Sequence, residues 1–154
     1  RKNAINLEQI AFRKLQRLPA REKEMVKTHT MEFLERYLEL ESLLGLDHKM
    51  PFTPHEYKIN PGSEQEDIEV ATRVLREERL KIGNDPIYNV YELLEENNIK
   101  VYPVLLPPSF SGMSTIINDQ IGVIVFNDFR DIPKVRKRFT LLHELAHLFL
   151  DLSA

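Results

Sequence analysis

The sequence predicts an α+β fold, and three observations predict it. Residues 1–47 carry helical spacing of apolar residues and no strand signal. Between Ile99 and Phe126 the apolar period shortens to the alternation expected of strands. From Lys134 to Leu152 neither Gly nor Pro interrupts a helical run whose second half is apolar on nearly every side, as in a buried helix. The expected order is therefore N-terminal helices, two further helices, a small three-stranded sheet and a final helix.

Residues 1–47 form a helical appendage, broken at Leu18-Pro19-Ala20 into a short helix and a long one. The long helix spans about Ala20 to Leu44, with Pro19 just ahead and Gly45 suited to a C-cap. Val26, Thr30, Phe33, Tyr37, Leu40 and Leu44 alternate spacings of four and three to make a seam, which Leu34 and Leu38 widen. Such a seam packs onto the rest of the chain, or it mediates self-association through the helix around residues 20–44. Residues 48–62, with Pro51, Pro54, Pro61 and Gly62, read as a linker with little regular structure.

Residues 63–154 form the second block. Ser63 and Glu66 suit a capping box opening a helix that runs to Ile82 and stops at Gly83, burying Ile68, Ala71, Thr72, Leu75 and Ile82. Asp85-Pro86 starts another helix, with Ile87, Val90, Tyr91 and Leu94 inward and Asn97-Asn98 at its end. Ile99, Val101 and Pro103 alternate with Lys100 and Tyr102, as in a strand near an edge, where Pro is tolerated. Gly112 to Ile117 and Ile121 to Phe126 are two more strands, joined by a turn at Asn118-Asp119-Gln120. Pro133 suits the first turn of the last helix, with Asp131 as its cap.

Composition narrows the function classes. The 154 residues include no Cys, which excludes disulfides and thiolate metal sites and fits a reducing, cytoplasmic setting. No apolar run approaches membrane-spanning length. A formal charge of -3 argues against direct nucleic-acid binding by this chain. The acidity gathers at Glu64, Glu66, Asp67, Glu69, Glu77, Glu78, Glu92, Glu95 and Glu96, the pattern of solvated helix faces. No phosphate-cradling glycine loop is present, and Ser111-Gly112-Met113-Ser114 lacks the spacing of a serine-hydrolase elbow.

The chemistry lies in His143-Glu144-Leu145-Ala146-His147. Residues four apart share a helix face, so His143 and His147 can reach one metal ion, while Glu144 points roughly a quarter turn away toward a water on that ion. That donor set suits zinc, with Glu144 as general base. A metal and its water would satisfy all three polar groups inside an otherwise apolar helix. The alternative is a core helix whose two imidazoles hydrogen-bond to neighbouring backbone. His29, His48 and His55 have no partner at ligand spacing and read as surface histidines.

The run Arg136-Lys137-Arg138-Phe139-Thr140-Leu141-Leu142-His143-Glu144-Leu145-Ala146-His147 resembles the signature of the ImmA/IrrE metallo-endopeptidases. Ser111-Gly112-Met113-Ser114 and the apolar run Ile121 to Asn127 resemble that family's strands, and Ala71 to Arg76 with Asp85-Pro86-Ile87 its preceding helices. The resemblance covers about residues 64 to 152. It implies a minimal gluzincin-like zinc peptidase that cleaves a protein substrate, typically a helix-turn-helix transcriptional repressor.

The family's third ligand, a Glu on a later helix, has no counterpart here, because no Glu follows Glu144. Asp151 would lie about 12 Å along a continuous helix from His143, too far to share an ion, and nothing in Phe149-Leu150-Asp151-Leu152 predicts a break. The missing ligand is therefore expected beyond Ala154, with this stretch alone inactive. The competing expectation is a non-catalytic sensor or protein-interaction domain of a transcriptional regulator.

Overall fold

The computed structural model describes residues 15–47 and 49–153. The expected short N-terminal helix falls mostly outside them, leaving a 3-10 turn at Leu15–Arg17. Helix α1 spans Ala20–Leu44 and ends on Gly45, whose φ of 68° is a left-handed conformation that glycine adopts without a steric penalty. There the Leu46 N–H donates to Glu41 O at 2.9 Å, closing the last turn. Strand β1 is Tyr57–Lys58, α2 is Glu64–Arg73, α3 is Val90–Glu96, and strands β2, β3 and β4 are Lys100–Val104, Gly112–Ile117 and Ile121–Asn127. Helix α4 spans Lys134–Phe149, and β5 is Leu150–Asp151. The fold is α+β.

The three longer strands form one mixed sheet in the order β2-β4-β3. Strand β4 is central, parallel to β2 and antiparallel to β3, and all seven of its residues are buried. Helices cover both faces. Ile121, Val123 and Val125 face a core shared with Leu15, Leu18, Val26, Leu34 and Leu38 of the N-terminal segment and α1. Ile124 and Phe126 face the opposite core with Val90, Leu94, Leu141, Leu145, Leu148 and Phe149 of α3 and α4. The β3–β4 turn places Asn118 and Asp119 at φ 52° and 60°, which these two residue types tolerate better than most.

Several local expectations are corrected by longer-range contacts. The buried stripe of α1 is Val26, Thr30, Leu34, Leu38 and Glu41, whereas Leu40 and Leu44 are exposed. Lys100 is buried, its ammonium 2.6 Å from a Glu41 carboxylate oxygen under α1. In the second block, α2 changes to π-helical bonding over Val74–Arg79, with the Leu80 N–H donating to Leu75 O at 2.8 Å. Ile68 and Thr72 are exposed there and Ala71 is buried.

The capping box does not form. The Asp67 carboxylate instead accepts from the Asn60 N–H at 2.8 Å and from the Ser63 hydroxyl at 3.1 Å. Helix α3 starts later than Asp85-Pro86, because Asn89 caps it by accepting from the Glu92 N–H at 3.0 Å. Pro133 occupies the N-cap position of α4 itself, with no side-chain cap, so Asp131 does not serve as one. The acidic middle is exposed throughout except for half-buried Asp67.

The largest departure is at the end of α4. The helix stops at Phe149, and Leu150 turns extended at φ -87° and ψ 140°. Residues 150–151 pair in parallel with Tyr57 and Lys58. The His55 N–H donates to Leu148 O and the Ile59 N–H to Asp151 O, at 2.8 and 3.0 Å. Residues 49–62 thus strap the end of α4, anchored by buried Met50, Phe52 and Ile59.

Candidate metal centre

Helix α4 positions the site, and its seating depends on a missing side chain. A Cβ at Gly112 would lie 2.8 Å from both Thr140 Cγ2 and the carbonyl oxygen of Val125, so only glycine lets α4 approach the sheet this closely. Leu141, Leu145, Leu148 and Phe149 face inward, and Glu144 goes in with them at 1% exposure. The helix is not buried all round, however. Val135, Phe139 and His143, at successive spacings of four, lie on its open side.

His143 and His147 turn toward one point. Their Nε2 atoms are 3.0 Å apart, with ring centroids at 4.6 Å and planes crossing at 76°. Two imidazole nitrogens on a tetrahedral zinc would stand about 3.3 Å apart, given bonds of about 2.0–2.1 Å. A ligand oxygen of Glu144 joins them, all three donor atoms lying within 4.8 Å of one another. The trio can therefore hold a metal ion, and it is the one such cluster among the described residues. Without an ion, one ring must carry its proton on Nε2 and donate to the other; with an ion, both lone pairs face it.

The surroundings fix this geometry. Arg138 donates to the carbonyls of Ile87 and Tyr88, tying α4 to the segment before α3. The Lys137 ammonium lies 2.8 Å from the Asp128 carboxylate. Asn127, at the end of β4, is buried and cross-links the neighbouring loop. Its Oδ1 accepts from the Leu106 and Phe129 N–H groups, and its Nδ2 donates to the carbonyls of Leu106, Pro107 and Phe110. That loop continues through Ser109 and Phe110 into one wall of a cleft of about 470 Å³ reaching His143. Asn127 was not singled out as functional from the sequence; the available signal was one amide closing an otherwise apolar strand.

Asp151 does not join the cluster. Its carboxylate accepts from the Ser153 N–H at 2.9 Å and the Ser153 hydroxyl at 2.5 Å, and these bonds hold its carboxyl below the ordinary range. His55 lies apart from the site as well, its Nδ1 3.0 Å from Leu150 O. His29 is exposed on α1, and His48 lies outside the described residues. Among the described residues no helix is long and apolar enough to cross a membrane. Comparison of the chain with protein-family models, with curated proteins and with solved structures returns no match.

Proposed function

We propose that the chain carries the catalytic helix of a zinc-dependent endopeptidase of the ImmA/IrrE type, acting on a protein substrate such as a helix-turn-helix repressor. The observation that carries this reading is the convergence of both Nε2 atoms at 3.0 Å beside the buried carboxylate of Glu144. A chance pair of core histidines bonded to backbone would not need a third polar group in the same place.

In this reading His143 and His147 hold the zinc, and a third protein ligand completes the site. Zinc, when bound, would acidify a water and polarise the scissile carbonyl. Glu144 takes the proton from the attacking water and delivers it to the leaving amine. The substrate would lie extended along β3, pairing as an added strand. Strand β3 is an edge of the sheet, with β4 central, and it runs beside the Gly112–Thr140 contact with α4.

The test uses the full-length protein with zinc and its repressor. Glu144→Gln should retain zinc and stop cleavage. Cleavage at an unchanged rate would remove Glu144 as the base, and loss of zinc would make it a ligand.

A further inference from the structure

The cleft beside His143 has a chemical character of its own. Arg17, Phe110, Ser111, Arg136, Phe139 and His143 line it. Two arginines thus line one recess next to the paired imidazoles. Four basic residues open α4, Lys134, Arg136, Lys137 and Arg138, and two have structural partners, Asp128 for Lys137 and the Ile87 and Tyr88 carbonyls for Arg138. Neither Arg136 nor Arg17 has a carboxylate partner among the described residues.

The placement of Arg136 works against the helix. It is the third residue of α4, where the positive end of the helix dipole disfavours a cation, and the first turn holds no acidic residue to offset it. Phe139 is equally unaccounted for by packing, being 67% exposed with its ring 6.2 Å from that of His143. A charged pair and an aromatic wall beside the reacting position together match a side chain with an apolar stem and an anionic tip.

We propose that this cleft is a specificity subsite for a Glu or Asp side chain of the bound peptide, close to the bond to be cut. Arg17 and Arg136 pair with its carboxylate, and Phe139 packs on its methylene stem. The assignment deepens the peptidase reading and rests on it for the word substrate, but the charge recognition itself needs no metal. The rest of the chain is net acidic, so the cleft is locally opposite in sign to the whole.

Binding is measured by calorimetry with the Glu144→Gln protein in metal-free buffer, so that no peptide is consumed. The probes are acetylated, amidated eight-residue peptides of alternating Thr and Val with one central Glu, Gln or Lys. A fourth peptide has no acidic side chain but a free C-terminal carboxylate. The Glu peptide should bind about tenfold tighter than the Gln peptide at low ionic strength, with the gap narrowing as salt is added. Arg136→Glu should invert the order in favour of Lys, and Arg17→Ala should reduce the preference without inverting it.

Equal affinity across the set, or no measurable binding, overturns the proposal. So does a Glu preference that survives in an Arg17→Ala/Arg136→Ala protein of unchanged melting temperature. If only the free C-terminal carboxylate is favoured, the side-chain assignment is wrong. Failure of zinc binding or cleavage would instead remove the peptidase reading while leaving the charge preference in place.

Discussion

The ammonium of Lys100 sits 2.6 Å from a carboxylate oxygen of Glu41, with side chains only 1% and 7% exposed, and 4.6 Å from the centre of the Tyr37 ring. This pair pins α1 to β2, next to the stacked rings of Phe33 and Tyr102 at 4.6 Å. Removing one partner strands the other charge in a dry interface, at a cost of about 3–5 kcal/mol. Glu41→Ala should therefore lower the urea-unfolding free energy by about 3 kcal/mol. The Glu41→Leu/Lys100→Met double variant should recover most of the loss, because neither charge is left behind. A single variant within 1 kcal/mol of the parent, or a double variant worse than the single, would end this account of the pair.

Lys100 also marks where the sequence stops being informative. Its alternation with Val101 correctly puts the two residues on opposite faces of a strand. Period two distinguishes faces, however, and not solvent from a covering helix. The seam of α1 was visible for the same kind of reason, and its exact rows were not, because they depend on how the sheet beneath meets the helix. The convergence of His143 and His147 on one helix face was legible, since four-residue spacing on a helix is local geometry.

What the sequence hid was set by distant residues. The end of α4 contains no Gly or Pro, and its termination comes from pairing with Tyr57 and Lys58, far away in the chain. Asp85-Pro86 looks like a helix start, but Arg138 takes the carbonyls of Ile87 and Tyr88 and the helix begins only after Asn89. The Ser63–Glu66 capping box lost to Asp67, which gains donors from both Asn60 and Ser63.

Asn127 should behave as a positioning residue for the cleft wall. Asn127→Ala deletes five hydrogen bonds from a buried amide, and buried groups left without partners cost about 1–3 kcal/mol each unless water reaches them. With partial access of water from the loop side, the expected loss is about 2–4 kcal/mol in urea unfolding. Hydrogen exchange should quicken at Leu106 and Phe129, whose N–H groups it caps. Unchanged exchange at those two amides would show that the loop holds itself.

Asp67 gives the fold an acid limb. Its carboxyl is held below the ordinary 3.8, chiefly by the Asn60 N–H and further by the Ser63 and Asn60 side chains. A depressed carboxylate contributes stability that is fully present above the unfolded pKa and lost as pH falls through the folded one. Asp67→Asn should melt lower than the parent at neutral pH, and the difference should shrink steadily below about pH 4. A gap in melting temperature that stays constant from pH 7 to pH 2 would mean that the charge of Asp67 is irrelevant there.

Zinc binding separates the roles around α4. Titrated calorimetrically, the chain should take up one zinc ion, and His143→Ala or His147→Ala should each weaken it on the order of 100-fold or more. Glu144→Gln should leave the affinity within a few-fold, since a base that acts on water need not touch the ion. With two imidazole ligands, His143 and His147, from the described residues, the site should bind zinc more weakly than one completed by a third protein ligand. Chelator should barely move the melting temperature, because Leu141, Leu145, Leu148 and Phe149 pack α4 on the sheet with or without metal. Asp151 supplies the decisive control. Held by Ser153 within β5, it should be replaceable by Ala with no change in zinc affinity. A loss as large as that of His147→Ala would mean that β5 opens on metal binding and delivers Asp151 as the third ligand.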